Sequence, residues 1–445
     1  MSRRNRLSRL ILCLWPAVLG AQSAGDLTRI LERLDRLEEQ NRAQALEIEQ
    51  LRSELAAARA KPDLEQRLEI EEHRSEEQSQ TKVESSEHFP LRITGMALFN
   101  AVLNSRFGGS PDYPTVAAVM PGAEHANGTF RQTTLGLEFF GPRTILGGKV
   151  HGDVYMDFAA GAAPLAQEFR LRTGSIRIDW PTRHFLVGVE KPIFNPRDPT
   201  SLAQVTLSPL SGAGNLWLWL PQAWFQQDVA FGRSTGLRAR VGVLETHETN
   251  PYDTTTFTGS LSPARPGLEG RFELYHNFDD TRRLEFAPGF HTSTTHVNGF
   301  SIPSKVFSLD WFFNPWRKLE FTGAFYSGQN VSNLGTGAIN QGYQLYRSYY
   351  QTHVQAIETM GGWGQFTVHA TNRVDLHLFT GQQDDENHQL GAGDIGKNLM
   401  YGANIFFRLA PNVFLAPEIS QLRTVYLARG VRINNHYDLA LAYLF

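Results

Sequence analysis

"YDLALAYLF" (437–445) sets Tyr437, Leu439, Leu441, Tyr443 and Phe445 at alternate positions, with Asp438, Ala440, Ala442 and Leu444 between them. Period-two alternation marks a strand whose two faces meet different surroundings. The odd face is the more apolar and ends on phenylalanine, so something apolar must receive it. A protein core and a lipid bilayer both qualify. The rest of the chain decides.

The same period governs the sequence beyond residue 89. In "GGKVHGDVYMDF" (147–158), Val150, Val154, Met156 and Phe158 oppose Lys149, His151, Asp153 and Asp157. "QEFRLRTG" (167–174), "GLRARVGV" (236–243), "GLEGRFELYHNF" (267–278) and "NLMYGANIFFRLA" (398–410) alternate in the same way. Runs of about ten residues match a tilted transmembrane strand. Tight connections fall at 141–144, 180–183, 232–235, 279–282, 314–317, 371–373 and 410–412. Longer segments rich in Gly, Pro, Asn and Thr begin near 104, 159, 191, 245, 288, 327, 381 and 423. One trimmed edge and one rough edge on an even number of strands describe an all-β fold, a 16-stranded antiparallel transmembrane β-barrel. Phe139, Phe140, Trp180, Phe312, Phe313 and Trp316 beside the short turns suit an aromatic girdle at the lipid–water interface. A soluble sandwich or propeller does not account for the alternating connection lengths. Hydrocarbon offers no partner to an open sheet edge, so the barrel must close. The last strand is therefore expected to pair with "LRITGMALFNAVLN" (91–104), with its odd face against lipid. Tyr437, Leu439, Leu441, Tyr443 and Phe445 also resemble the signal by which barrel-assembly machinery recognises its clients.

Arg3, Arg4, Arg6 and Arg9 precede the apolar stretch 10–17, and small residues follow, as in a cleavable export signal over 1–24. The 41% hydrophobic content includes no run of about 18 apolar residues able to span a bilayer as a helix. The single cysteine, Cys13, lies in the signal, so disulfides, thiolate catalysis and cysteine metal sites drop out. From 25 to 61 a heptad places Leu27, Leu34, Asn41, Ile48 and Leu55 at a, with Ile30, Leu37, Gln44 and Leu51 at d. That is an N-terminal α-helical coiled coil for oligomerisation, set in the periplasm; its Leu/Ile mixture leaves dimer against trimer open. Residues 62–88 are an acidic linker and 89–445 the barrel.

Parity points Arg170, Arg172, Arg238, Arg240 and Arg271 inward, and Arg177 too if its strand shifts phase near Gly174. They are interleaved with Asp153, Asp157, Asp179, Glu269 and Glu273. Two readings follow, an anion-attracting ladder in a narrow wet passage or structural pairing with the carboxylates. The proline-rich stretch 191–222 sits where general porins fold a loop into the lumen, which makes Lys191, Arg197 and Asp198 constriction candidates. The alternative for its Trp217–Trp219 section is packing at a subunit contact or on the barrel wall.

The order of signal peptide, coiled coil and sixteen-strand barrel resembles the DcaP-like trimeric porins, related to the phosphate-selective porin O/P group. "FRLRTGSIRIDW" (169–180), "FLVGVEKPIFNPRDP" (185–199) and "GAGNLWLWLPQAWF" (212–225) are similar in layout to that family's early strands and third loop. The resemblance implies a homotrimer of the outer membrane of a Gram-negative-type bacterium. It implies passive uptake of small anions such as dicarboxylates, with Arg170, Arg172, Arg238, Arg240 and the loop residue Arg197 at the constriction. The phosphate branch has a lysine-rich lumen, which this chain lacks. "GAGDIGKN" (391–398) has Asn398 where a phosphate loop needs a hydroxyl, and it precedes a strand rather than a helix. No catalytic constellation, cofactor, metal or nucleic-acid site is expected. The other function to weigh is structural, a coiled coil reaching roughly 50 Å at 1.5 Å per residue and tethering the envelope.

Overall fold

The computed structural model describes residues 24–59 and 90–445, apart from 110, 145, 162–166, 249–260, 264–265, 298 and 348–351. The expected signal peptide (save Ala24) and the acidic linker lie outside the described residues. The chain divides into two compact units, residues 1–80 and 81–445. In the first, α1 (Ala24–Arg59) is an unbroken helix of 36 residues. Leu, Glu, Arg, Gln and Ala dominate it, and all are strong helix formers. Asn41, Gln44, Ile48 and Leu51 are exposed on this single chain. The side chains of Leu27, Ile30, Leu34, Leu37 and Leu55 are outside the described set.

The second unit opens with β1 (Leu91–Asn104), β2 (His125–Thr129), β3 (Thr134–Arg143), β4 (Lys149–Ala160), β5 (Glu168–Asp179), β6 (Arg183–Glu190) and β7 (Leu220–Ala230). It continues through β8 (Thr235–Leu244), β9 (Leu261–Pro263), β10 (Gly267–Asn277), β11 (Arg283–Val297), β12 (Phe300–Trp316) and β13 (Leu319–Gln329). A small hairpin of β14 (Tyr343–Arg347) and β15 (Thr352–Ala356) precedes β16 (Glu358–Thr371), β17 (Val374–Asp385), β18 (Ile395–Ala410), β19 (Val413–Tyr426) and β20 (Gly430–Leu444). Apart from the β14–β15 hairpin, these form one antiparallel sheet. β2 and β3 pair with different halves of β1, and β9 and β10 do the same with β11, so each couple is one interrupted stave. The wall therefore has sixteen staves, as the sequence pattern required.

Closure occurs where it was expected. β20 pairs with β1 from Met96↔Leu444 to Asn104↔His436. Beyond it, the Phe445 amide donates to the Gly95 carbonyl (3.1 Å) and the Gly95 amide to the Phe445 carbonyl (2.9 Å). The parity is equally plain. Tyr437, Leu439, Leu441 and Tyr443 are 47–51% exposed, while Asp438, Ala440 and Ala442 between them are at most 5% exposed. Outward Val241, Val243, Leu268, Phe272 and Leu274 alternate with inward Arg240, Glu269, Arg271 and Glu273. On β5 a register shift opposite Tyr155/Met156 moves the outward set from Phe169 and Leu171 to Ile176. That shift turns Arg177 inward.

One edge carries turns of two to five residues, the other most of the long connections. Asp279 shows how a short turn is held: its carboxylate accepts from the Thr281 amide (2.9 Å), the Arg282 amide (2.8 Å) and Arg282 Nε (2.8 Å). Two expected long loops are absent. The segment read as a loop from about 288 is strand: β11 and β12 run in register to Val297↔Phe300 and close in a two-residue turn. The Gly, Pro and Thr that suggested a loop sit in a paired ladder, and β-branched Thr suits one. Gly299, with φ 83°, lies in the connection between the two strands. Likewise, the segment from about 423 remains strand to Tyr426 and turns before Gly430 (φ 71°). The girdle needs one change. Phe139, Phe140 and Trp316 are exposed, but Phe312 shares the inward parity of Asp310 and is buried.

Candidate pore and constriction

Between β6 and β7 the third long loop (191–219) turns into the barrel and follows the inner wall. Buried loop backbone must find hydrogen-bond partners. The inward faces supply them mainly as uncharged amides, which donate and accept without importing charge. Ile193 N donates to Glu269 of β10 (3.1 Å), and the Phe194 carbonyl accepts from Ser308 of β12 (2.7 Å). Thr200 N donates to Gln365 of β16 (2.6 Å), and its carbonyl accepts from Asn404 of β18 (2.9 Å). Ser201 reaches Glu418 of β19 (2.6 Å), and the Leu202 carbonyl accepts from Asn100 of β1 (2.9 Å). Gln132, between β2 and β3, holds the Ala203 carbonyl (2.8 Å) and the Thr206 amide (3.0 Å). The Thr206 carbonyl then accepts from Arg170 of β5. The loop is thus a belt laid round most of the inner circumference.

The predicted charges lie along this belt and under it, in pairs. Arg170 binds Asp157 through Nε (3.1 Å) and Nη2 (2.6 Å), while Arg172 stands 3.7 Å from the same carboxylate. Arg177 pairs with Asp179 at 2.9 Å. Arg197 bridges Asp310 and Glu285, both at 2.6 Å. Arg271 binds Asp310 (2.7 Å) and Glu273 (2.7 Å), and Arg238 also pairs with Glu273. Lys191 and Asp198 join each other at 2.6 Å, with Asn215 on the same Asp198 oxygen at 2.8 Å. They fasten the loop to itself. Arg240 differs: among the described residues it donates only to the neutral Gln226 (2.6 and 2.9 Å) and stacks over Trp224 at 4.2 Å. Arg172 likewise lies over Trp219, at 4.8 Å. Trp219 is therefore inside the lumen beneath the β5 arginines, and Trp217 N reaches the Gly335 carbonyl at 3.3 Å. Side-chain exposure is 48% at Arg177 and 38% at Arg238, against 7% at Arg271.

Two further loops enter the barrel, which the sequence reading did not anticipate. In the first (105–124), Ala117 N donates to Thr424 (2.8 Å), and the Thr115 carbonyl accepts from Asn398 (2.8 Å). In the sixth (330–342), Val331 and Leu334 pack with Phe194, Leu216 and Tyr326 in one apolar cluster. A usable signal was the apolar content of these loops, Val116, Ala117 and Val119 in one and Val331, Leu334 and Ile339 in the other. Solvated loops have no use for it. Asn398, quoted for what it denies a phosphate loop, serves as a staple between two loops: its Nδ2 also holds the Gly212 carbonyl (2.7 Å).

A closed sixteen-stave barrel narrowed by an infolded third loop has clear structural counterparts. The chain is similar to the outer membrane channel DcaP of Acinetobacter baumannii, with a TM-score of 0.67 and 14% identity over 80% of this chain and 97% of that one. The fold is that of an outer-membrane porin. Two other porins are similar at lower scores: an anion-selective porin from Comamonas acidovorans (TM-score 0.51, 11% identity, 80% of this chain and 99% of that one), and OmpF of Salmonella typhi in complex with daunomycin (0.50, 11%, 80% and 97%). No protein-family model and no curated protein matches the chain. Among the described residues of this porin fold, no group of three or more His, Cys, Asp or Glu is placed to hold a metal ion.

Proposed function

We propose that the chain is a passive diffusion channel for small hydrophilic solutes, with a preference for small anions such as dicarboxylates. The observation that carries this reading is the third loop, fastened as a belt inside a closed barrel whose wall bears partly exposed charged side chains such as Arg170, Arg177 and Arg238. The anion preference rests on Arg172 and Arg240. Most inward arginines are matched by carboxylates, whereas Asp157 is shared by two arginines and Arg240 has only an amide and a ring. Guanidiniums over aromatic faces keep their charge and stay fixed in place. The remaining candidates (Arg170, Arg177, Lys191, Arg197, Asp198, Arg238 and Arg271) shape the passage and balance its charge. Planar-bilayer recording tests both levels. Ohmic channels are expected, with a reversal potential in a salt gradient on the anion side that moves toward zero in R172Q/R240Q. Absence of channels defeats the reading; an unmoved potential defeats the assignment of selectivity to these two residues.

The assembly we propose is a homotrimer in the outer membrane, joined through the heptads of α1 after removal of an export signal over 1–24. Phe445 and the odd face before it serve as the recognition mark for the barrel-assembly machinery. A tethering role for α1 is a second reading, supported by a length of about 54 Å at 1.5 Å per residue. Deleting 25–60 separates the two: altered envelope spacing favours the tether, and loss of trimers alone favours oligomerisation.

A further inference from the structure

On the inner wall, Asn404 of β18, Glu418 of β19 and Asp438 of β20 stand side by side, paired Asn404↔Glu418 and Glu418↔Asp438. The two carboxylates are direct cross-strand neighbours on one face, an arrangement that repels. Glu418 is 3% exposed and Asp438 5%. Four buried carboxylates elsewhere in the lumen, Asp157, Glu273, Glu285 and Asp310, each hold an arginine, while Glu269 and Asp385 stand singly among neutral donors. Neither Glu418 nor Asp438 has a cationic partner within ion-pair distance among the described residues. Burying two like charges without a counter-charge is among the costliest arrangements a wall can contain.

The neighbouring atoms say what would relieve it. Glu418 Oε2 accepts from Ser201 Oγ (2.6 Å) and Asn404 Nδ2 (2.9 Å), but Oε1 has no partner. Asn404 donates through Nδ2 to the Thr200 carbonyl (2.9 Å), and its buried Oδ1 also has no partner. Among the described residues, Asp438 accepts only from Asn100 Nδ2, at 3.0 and 3.2 Å. The hydroxyls of Ser420 and Tyr113 and Nε2 of His436 are further orphans here. Ser420 faces His436 across β19–β20, and the rings of Tyr113 and His436 are 5.8 Å apart. The row thus offers two carboxylates and a carboxamide oxygen, all hard oxygen donors with lone pairs already desolvated, and the Ser420 and Tyr113 hydroxyls belong to the neighbouring rung at His436. Calcium takes six to eight such ligands in adaptable geometry, whereas magnesium demands a near-ideal octahedron.

We propose that Glu418, Asp438 and Asn404 bind one divalent cation of the calcium type. The cation cancels the paired negative charge and fixes the wall to the third loop at Ser201 and to the first loop at Tyr113. The site does not depend on channel activity. The test is terbium titration of the full chain in detergent after chelator treatment, with the nearby Tyr113 phenol as sensitiser. Saturable emission is expected, displaced by calcium at about 10⁻⁴–10⁻³ M, the range of extracellular calcium modules, and weakened at least tenfold in E418Q and in D438N. Heat-modifiable migration shows whether each variant has folded; if one has not, the other decides. Three outcomes overturn the proposal: no saturable emission, emission unchanged in a folded variant, or a protonated-carboxyl infrared band at neutral pH that E418Q or D438N removes. The last would mean that the pair shares a proton instead.

Discussion

Arg271 is the residue on which the charged side of the lumen turns. Its guanidinium grips Asp310 through Nε (2.7 Å) and Nη2 (2.8 Å), and it holds Glu273 as well. Arg271→Met leaves Asp310 with Arg197 alone and Glu273 with Arg238. Removing one member of a buried ion pair costs about 3–5 kcal/mol when its partner's charge is left unpaired; with Arg197 and Arg238 still in place that figure is an upper bound. Urea unfolding in detergent is expected to show a loss below that bound yet larger than for R177M at its half-exposed pair. Gly214 is the second sensitive residue. Its φ of +95° disfavours any side chain, and an added Cβ would meet the Gln382 carbonyl at 2.6 Å and the Gly362 carbonyl more closely still. The left-handed conformation alone costs about 1–2 kcal/mol. Gly214→Val should lift the third loop from the wall, and single-channel recording should then show a changed, noisier conductance. Sequence alone gave the inward direction of Arg170, Arg172, Arg238, Arg240 and Arg271, because period two leaves each residue only one of two faces. It did not give their partners. Whether Arg197 meets Asp310 depends on where a loop lands, and no local periodicity encodes that.

At the level of elements, strands were legible and loops were not. β20 was readable from "YDLALAYLF" because a lipid face and a wet face impose opposite demands on alternate residues. The hairpin of β11 and β12 was misread because Gly289 and the run 291–296 carry the Gly, Ser and Thr of a loop, and the apolar Val297 and Ile302 that mark its inward face come only at its tip. The signal that settles it is the dipeptide Asn298-Gly299 in the sequence, a pair favoured in two-residue hairpins. An epitope inserted between Asn298 and Gly299 is expected to leave folding and conductance intact and to bind antibody on whole cells. Barrels of this kind direct their longer connections outward. Staining only after permeabilisation would reverse the orientation. The first and sixth loops escaped notice for another reason. Their inward course is fixed by single long-range hydrogen bonds, such as Asn398 of β18 to the first loop and Asn330 of the sixth loop to Thr295 of β11, and a strand pattern carries no record of such pairs.

For the molecule as a whole, the role we propose for α1 depends on other copies of the chain. Ile48 and Leu51 are more than half exposed on one helix, a cost that a coiled-coil seam removes. Cysteine at position 48 is expected to cross-link chains under mild oxidation, while cysteine at the exposed position Glu49 should do so far less. Equal yields would mean that the helix is not in a heptad seam.

The join between β1 and β20 has a consequence for synthesis. Thr94 and Phe445, which share a hydrogen bond of 3.1 Å, are 351 positions apart. No intermediate made from the first fifteen staves can therefore be a finished object, however well its hairpins have formed. Each such fragment would carry two unpaired borders, and hydrocarbon penalises both. A chain that lacks β20 is thus a product that quality-control proteases can recognise by geometry alone.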